Sequence, residues 1–277
     1  MKQAALLLSA GVADPVQRLN LLREYVQAFV LRSLHESEAF HRMAFVGGTA
    51  LRFLHGLPRF SEDLDFSLLP GADADFLPCM TKLKRDLTYA GFAAEVTWNP
   101  RTAVHKGWVK IAGILAETGL SPLPDQKLSV KIEIDTRPPE GAQSAVCMVN
   151  RHLLFSVRHH TLPSLFAGKI HALWTREYAK GRDWYDLVWY LTQRPSIEPN
   201  LELLRNALRQ THPALARVHA RWREHVLARL EAMDANALAD DVRPFLERAQ
   251  DAQWLQNAQL RDVLKANARN PTREITF

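Results

Sequence analysis

Arg59-Phe60-Ser61-Glu62-Asp63-Leu64-Asp65-Phe66 is the stretch whose reading decides the fold. Asp63 and Asp65 alternate with Leu64 and Phe66, so on an extended strand both carboxylates face one side and both apolar side chains the other. Acids at i and i+2 lie roughly 6–7 Å apart along a strand, within reach of one shared divalent ion or of a pair of ions about 4 Å apart. An isolated Asp-X-Asp occurs as readily in a solvated turn. The weight therefore falls on what precedes it.

Upstream, Ala44-Phe45-Val46 reads as a short buried strand, Gly47-Gly48-Thr49 as a bend, and Ala50–His55 as a helix. Two glycines at a helix N-terminus let backbone N–H groups approach phosphate oxygens closely. The plain structural account is a turn with glycines at positive φ and Thr49 capping the helix. A phosphate cradle and an acidic pair separated by one short helix are together the parts needed for metal-assisted handling of a nucleoside triphosphate. A third carboxylate is available downstream. Leu128–Asp135 alternates strictly, placing Ser129, Lys131, Glu133 and Asp135 on one face. If that strand pairs beside Asp63 and Asp65, Glu133 or Asp135 joins the same site; otherwise it is an ordinary half-exposed strand.

The 277 residues, 47% hydrophobic, suffice for a sizeable core, expected in two lobes. No apolar run approaches the ~20 residues of a membrane span. Residues 1–13 resemble a secretory signal only faintly, with a minimal apolar stretch and a single Lys, and a cytoplasmic address is the reading retained. The two cysteines, Cys79 and Cys147, are too few for a disulfide scaffold or a thiolate metal site. Residues 1–150 balance 16 basic against 16 acidic side chains, whereas 151–277 hold 19 against 14, so the whole net charge of +5 sits in the second part. That mild excess favours a polyanionic partner without establishing one.

Asp14-Pro15 marks the start of a helix running through Val30. A second helix is expected from about Asp73 to Ala90, closed by Gly91, and strands over Ala94–Trp98, Trp108–Ile111, Lys127–Asp135 and Ala145–Val149. From Leu162 the pattern is helical. Leu165, Phe166, Ile170, Leu173 and Trp174 form an apolar stripe, with Lys169 and Arg176 on another side. Asp183 is expected to cap the next helix, with Asp186 favourable to its dipole. Helices should follow over 200–210, 213–233, 240–250 and 258–268, and Arg217, Arg221, His225 and Arg229 recur every four residues as a slanting basic stripe.

Four segments, in order, resemble the motifs of AbiEii/AbiGii-type nucleotidyltransferase toxins: Phe45–Arg52, Arg59–Phe66, Leu165–Arg176 around Lys169, and Arg182–Leu187. They span residues 44–191; the helical tail beyond 200 carries no matching motif. The resemblance implies an α+β architecture: a nucleotidyltransferase-fold mixed sheet with its N-terminal helix over 1–155, and a mostly helical C-terminal lobe over 156–277 that completes the active site. It implies a toxin of a type IV toxin–antitoxin system that transfers a nucleoside monophosphate from an NTP to an RNA acceptor, the 3′ end of tRNA in characterised relatives, with Mg²⁺ (or Mn²⁺) as the ion and an antitoxin encoded nearby as partner. By the same resemblance Asp63, Asp65 and Glu133 hold metal; Gly47, Gly48, Thr49, Arg52, Ser61 and Arg176 contact substrate; Lys169 binds phosphates; and Asp183 positions or deprotonates the nucleophile. Two rivals remain: a non-catalytic nucleotide- or RNA-binding module of the same fold, and a metal-dependent nuclease.

Overall fold

The computed structural model describes residues 1–193, 195–256, 260–262 and 264–265, and the chain divides into two compact units. The first comprises residues 1–138 and 144–160; the second comprises 139–143 and the chain from Thr161 onward. Much of the helix expected over 258–268 lies outside the described residues.

In the first unit, α1 (Lys2–Ala10) precedes α2 (Pro15–Glu36), which starts as its sequence dictates: the Asp14 carboxylate accepts from the Gln17 N–H at 2.8 Å, with Pro15 at the first helical position. Then come β1 (Met43–Val46), α3 (Gly47–His55), β2 (Asp63–Leu68), α4 (Leu77–Tyr89), β3 (Ala93–Asn99), β4 (Val104–Ala112), α5 (Ile114–Glu117), β5 (Leu128–Asp135), β6 (Ser144–Arg151) and β7 (Leu153–His160). The strands form one mixed sheet in the order β3-β4-β5-β2-β1-β7-β6. The β1/β7 and β2/β5 pairs are parallel, and the others are antiparallel. This is the α+β mixed sheet that the family resemblance implies. Its inner face is the apolar set: Leu64, Phe66, Val109, Ile111, Val130, Ile132 and Ile134 are all buried, and Phe45 packs on Phe66 with ring centres 5.4 Å apart. α2 packs on β5 and β7, and α4 on β3.

Two of the departures from expectation have a local physical reason. α4 begins at Leu77 rather than near Asp73, because the Asp73 and Asp75 carboxylates accept from the N–H groups two residues on, each at 3.0 Å, and these turns hold the chain out of the helix until Leu77-Pro78. Strand β7 has no counterpart in the sequence reading. No glycine or proline marks its turn from β6; His152 itself takes the left-handed conformation, at φ 61°.

The second unit holds α6 (Leu162–Thr175), α7 (Gly181–Thr192), α8 (Leu201–Thr211), α9 (Pro213–Ala216), α10 (Trp222–Glu231) and α11 (Ala235–Val242), with short 3-10 turns between and after them. Phe166 stacks on Tyr190 at 4.1 Å and meets Trp222 edge-on at 5.4 Å in its core. Gly181 lets α7 touch α11 backbone to backbone, since any Cβ there would collide with the Leu238 carbonyl. The single long helix expected over 213–233 is broken into α9, a 3-10 turn over His219–Arg221, and α10. The basic stripe is broken with it. Arg221 pairs with Glu224, His225 stacks on Trp174 at 4.6 Å, and Arg229 donates to the carbonyls of Trp174 and Arg176.

One charged cluster lies inside the first unit. Glu24 of α2, 2% exposed, receives Arg52 Nε at 2.5 Å, Arg151 Nε at 3.0 Å and the His152 ring at 2.8 Å. Burial alone would raise the Glu24 carboxyl, but the His152 hydrogen bond and the charges of Arg52 and Arg151 bring it down to about 2 from 4.5. Because the folded value is the lower one, this contribution to stability is complete above pH 4.5 and is lost as pH falls towards 2. Glu24→Gln strands Arg52 and should cost about 3–5 kcal/mol in urea unfolding at neutral pH. Its stability should also fall less steeply below pH 4.5 than the wild type's; parallel acid limbs would remove Glu24 from the account.

Candidate active site

The expected acids are brought together by strand register. β2 lies between β1 and β5, so Asp65 stands opposite Val46 on one side and Glu133 on the other, while Asp63 stands opposite Lys131. Val46 is the residue before the bend, which puts Gly47 against the Asp65 side chain. Gly47 has φ +80°, and a Cβ there would collide with the Asp65 carboxylate. At Gly48 a Cβ would lie 2.6 Å from Arg59 Nη2 and 3.2 Å from Ser61 Oγ. The glycines thus serve close approach as well as conformation: the bend lies directly on Asp65, Arg59 and Ser61.

Of the expected substrate contacts, the five in the first unit separate into two groups. Gly47, Gly48 and Ser61 line this bend. Thr49 does not cap α3, which begins at Gly47 after Val46; Thr49 is fully buried, and its hydroxyl donates to the Asp63 carbonyl, tying α3 to β2. Arg52 is turned inward, bound to Glu24 and to the Leu57 carbonyl at 3.1 Å, with its guanidinium 4.2 Å above the Phe60 ring. It holds α3 to α2. Arg59, which the sequence reading gave no role, is 2% exposed and donates to the Phe60 carbonyl beneath Gly48.

Glu133 is not free to meet the aspartates as it stands, since Lys131 Nζ lies 2.7 Å from its Oε1. Burial opposes the charge on Lys131, yet the Glu133 hydrogen bond and the charges of Glu133, Asp63 and Asp65 raise its pKa above the ordinary lysine value. The four groups therefore share one electrostatic site. Among the described residues, no three His, Cys, Asp or Glu side chains form a ready-made metal cluster. Convergence of Asp63, Asp65 and Glu133 on one point is replaced by an aspartate pair beside a Glu133–Lys131 pair. That donor set still fits a small hard cation, because Mg²⁺ commonly uses one or two carboxylates and completes its shell with water and substrate phosphates.

In the second unit, Lys169 of α6 reaches Asp183 Oδ1 at 3.0 Å and Asp186 Oδ2 at 2.6 Å, and Arg176, one residue past the end of α6, pairs with the other Asp183 oxygen. Asp183 is not the cap of α7. The helix begins at Gly181 with Lys180 at the cap position, so Asp183 sits in the first turn. Asp186 is fully buried and Asp183 5% exposed, whereas 43% of the Arg176 side chain is exposed.

The model of the family described as nucleotidyl transferase AbiEii toxin, type IV TA system, matches residues 29–268. A crystal structure described as a candidate nucleotidyltransferase from H. pylori is similar in fold, with a TM-score of 0.50 at 18% identity, covering 88% of this chain and 96% of that one. JHP933 from Helicobacter pylori, also 18% identical, has a TM-score of 0.45 and covers 90% of this chain and 97% of its own. No curated protein matches.

The close approach at the bend is open to direct measurement. Gly47 and Gly56 both have positive φ, but Gly56 has nothing within 4 Å of its absent Cβ. Gly56→Ala should cost about 1 kcal/mol of backbone strain. Gly47→Ala should cost about 1–3 kcal/mol more through displacement of Asp65. Equal losses in chemical denaturation would mean that the bend does not rest on Asp65.

Proposed function

The chain belongs to the AbiEii nucleotidyl transferase toxin family, and from that premise we propose that it transfers a nucleoside monophosphate from an NTP to the 3′-terminal hydroxyl of an RNA, a tRNA, in the cytoplasm. Blocking that end would prevent aminoacylation and arrest translation, and an antitoxin would hold the activity in check. The observation that carries this reading is the register: Val46-Gly47 against Asp65 against Glu133, on three adjacent strands. It sets the N-terminus of α3 directly beside the carboxylates, where backbone N–H groups favour an anion.

Asp63 and Asp65 would hold Mg²⁺, or Mn²⁺, with Glu133 beside them; a bound ion supplies charge neutralisation on the phosphates and a lowered acceptor-hydroxyl pKa. The backbone of Gly47 and Gly48, with the Ser61 hydroxyl, is suited to hold the triphosphate in one orientation. Arg59 adds a fixed positive charge beneath Gly48. Lys169 and Arg176 offer cations for phosphate oxygens. With both its oxygens engaged by those two side chains, Asp183 orients them, and proton abstraction is not assigned to it. Arg52 and Thr49 act through the fold.

Incubation with Mg²⁺, labelled NTPs and total tRNA tests the whole reading. Extended, labelled tRNA is expected; shortened RNA would select nuclease chemistry, and nucleotide binding without transfer a binding module. Asp65→Ala should lose transfer by at least about a thousandfold while its melting temperature stays close to that of the wild type, because it removes a charged ligand and no core volume. Lys169→Ala should weaken use of the NTP and also destabilise the second unit, as it leaves Asp186 buried without its cation. Lys169→Arg separates the two effects: stability recovers and transfer does not.

A further inference from the structure

The sheet face that carries the carboxylates extends onto β4, and there it holds a residue the reaction has not yet used. Trp108 is 39% exposed, and among the described residues it is the only exposed tryptophan. Its position is fixed by pairing. Thr97, Trp108, Lys131 and Asp63 stand in register across β3, β4, β5 and β2, next to the row Asn99, Lys106, Glu133 and Asp65. Neighbouring strands lie about 4.8 Å apart, so the Trp108 backbone is roughly 10 Å from that of Asp63. Lys131 Nζ lies 5.9 Å from the centre of the Trp108 ring.

Packing does not account for this side chain. The opposite face of β4 is closed by Val109 and Ile111, and by Trp98, which lies against Gly107 and meets Phe76 edge-on at 6.5 Å. Trp108 points the other way, and what surrounds it on the sheet is Thr97, Lys106, Lys110 and Lys131, with Glu133 opposite Lys106 and Glu95 opposite Lys110, rather than apolar side chains. An apolar protein partner would need a contiguous apolar patch. A flat aromatic surface flanked by ammonium groups is instead what a nucleobase and its phosphates require: every base has a π-face to stack, and the lysines meet the backbone charge.

We propose that Trp108 is the stacking platform for a nucleobase of the substrate, with Lys106 and Lys110 on either side taking phosphate charge. The proposal rests on the transferase reading for the class of ligand, and the row containing Asp63 sets the base about one nucleotide's length from the carboxylates. The base has two sources, the incoming NTP and the acceptor strand, and two probes distinguish them. Full-length wild type, Trp108→Phe and Trp108→Leu are titrated with ATP, GTP, CTP and UTP by calorimetry, and with a fluorescein-labelled single-stranded RNA by anisotropy. Thermal melts of all three proteins should coincide.

Trp108→Leu should bind one class of probe roughly tenfold more weakly, and Trp108→Phe should stay within about threefold of wild type. Loss on the mononucleotide places the NTP base on the ring; loss on the oligonucleotide alone places an acceptor base there. In the second case Lys106→Gln and Lys110→Gln should each also reduce the salt dependence of RNA binding. Unchanged affinity of Trp108→Leu for both probes overturns the platform, as do equal losses in the Phe and Leu variants, which would mark a structural role. A wild type that binds but transfers nothing to RNA removes the transferase reading and leaves the platform standing.

Discussion

The contact between the Gly47-Gly48 backbone and the side chains of Asp65, Arg59 and Ser61 is the constraint on which the candidate site depends. It cannot form unless β1 and β2 pair with Val46 opposite Asp65, and that register is enforced on the other face, where Phe45 meets Phe66. A slip by one residue would send both aspartates into the core, which their desolvation forbids. Apolar packing and site geometry are thus one specification read from two sides of the sheet. The buried Thr49 hydroxyl, donated to the Asp63 carbonyl, and the Arg52–Glu24 pair then fix α3, so that its N-terminus stays aimed where the bend leaves it.

The sequence made this half of the molecule legible because its periods are clean. Asp63-Leu64-Asp65-Phe66 and Leu128–Asp135 alternate without interruption, and both strands and their polar faces are found where the alternation puts them. What alternation cannot reveal is pairing. That Glu133 and Asp65 are partners, with Lys131 opposite Asp63, follows from a parallel crossover between strands more than sixty residues apart. Side-chain destination was hidden for a related reason. Arg52 and Arg59 both sit in motif segments, and nothing local distinguishes a phosphate contact from a guanidinium folded onto Glu24 or packed under Gly48. The second unit was less legible. Helical period alone did not show that the segment 213–233 breaks at His219–Arg221, nor that Asp183 lies inside α7 facing Lys169.

The two units enclose their charged groups to different degrees, and the difference bears on what each can do. In the second, the Asp183 and Asp186 carboxylates are matched by the Lys169 and Arg176 cations, with Asp186 wholly enclosed. The ion pairs fix the direction of Lys169, and in the proposed reaction the exposed flank of Arg176 would be the part that meets an anion. In the first unit the charges of Glu133, Asp63 and Asp65 act together on the Lys131 ammonium, and Lys106 stands in register beside Glu133, so carboxylates and ammonium groups alternate on a half-exposed sheet face. In the proposed reaction, Mg²⁺ arriving with a triphosphate would compete with Lys131 for Glu133, whose hydrogen bond to that ammonium is made within one strand.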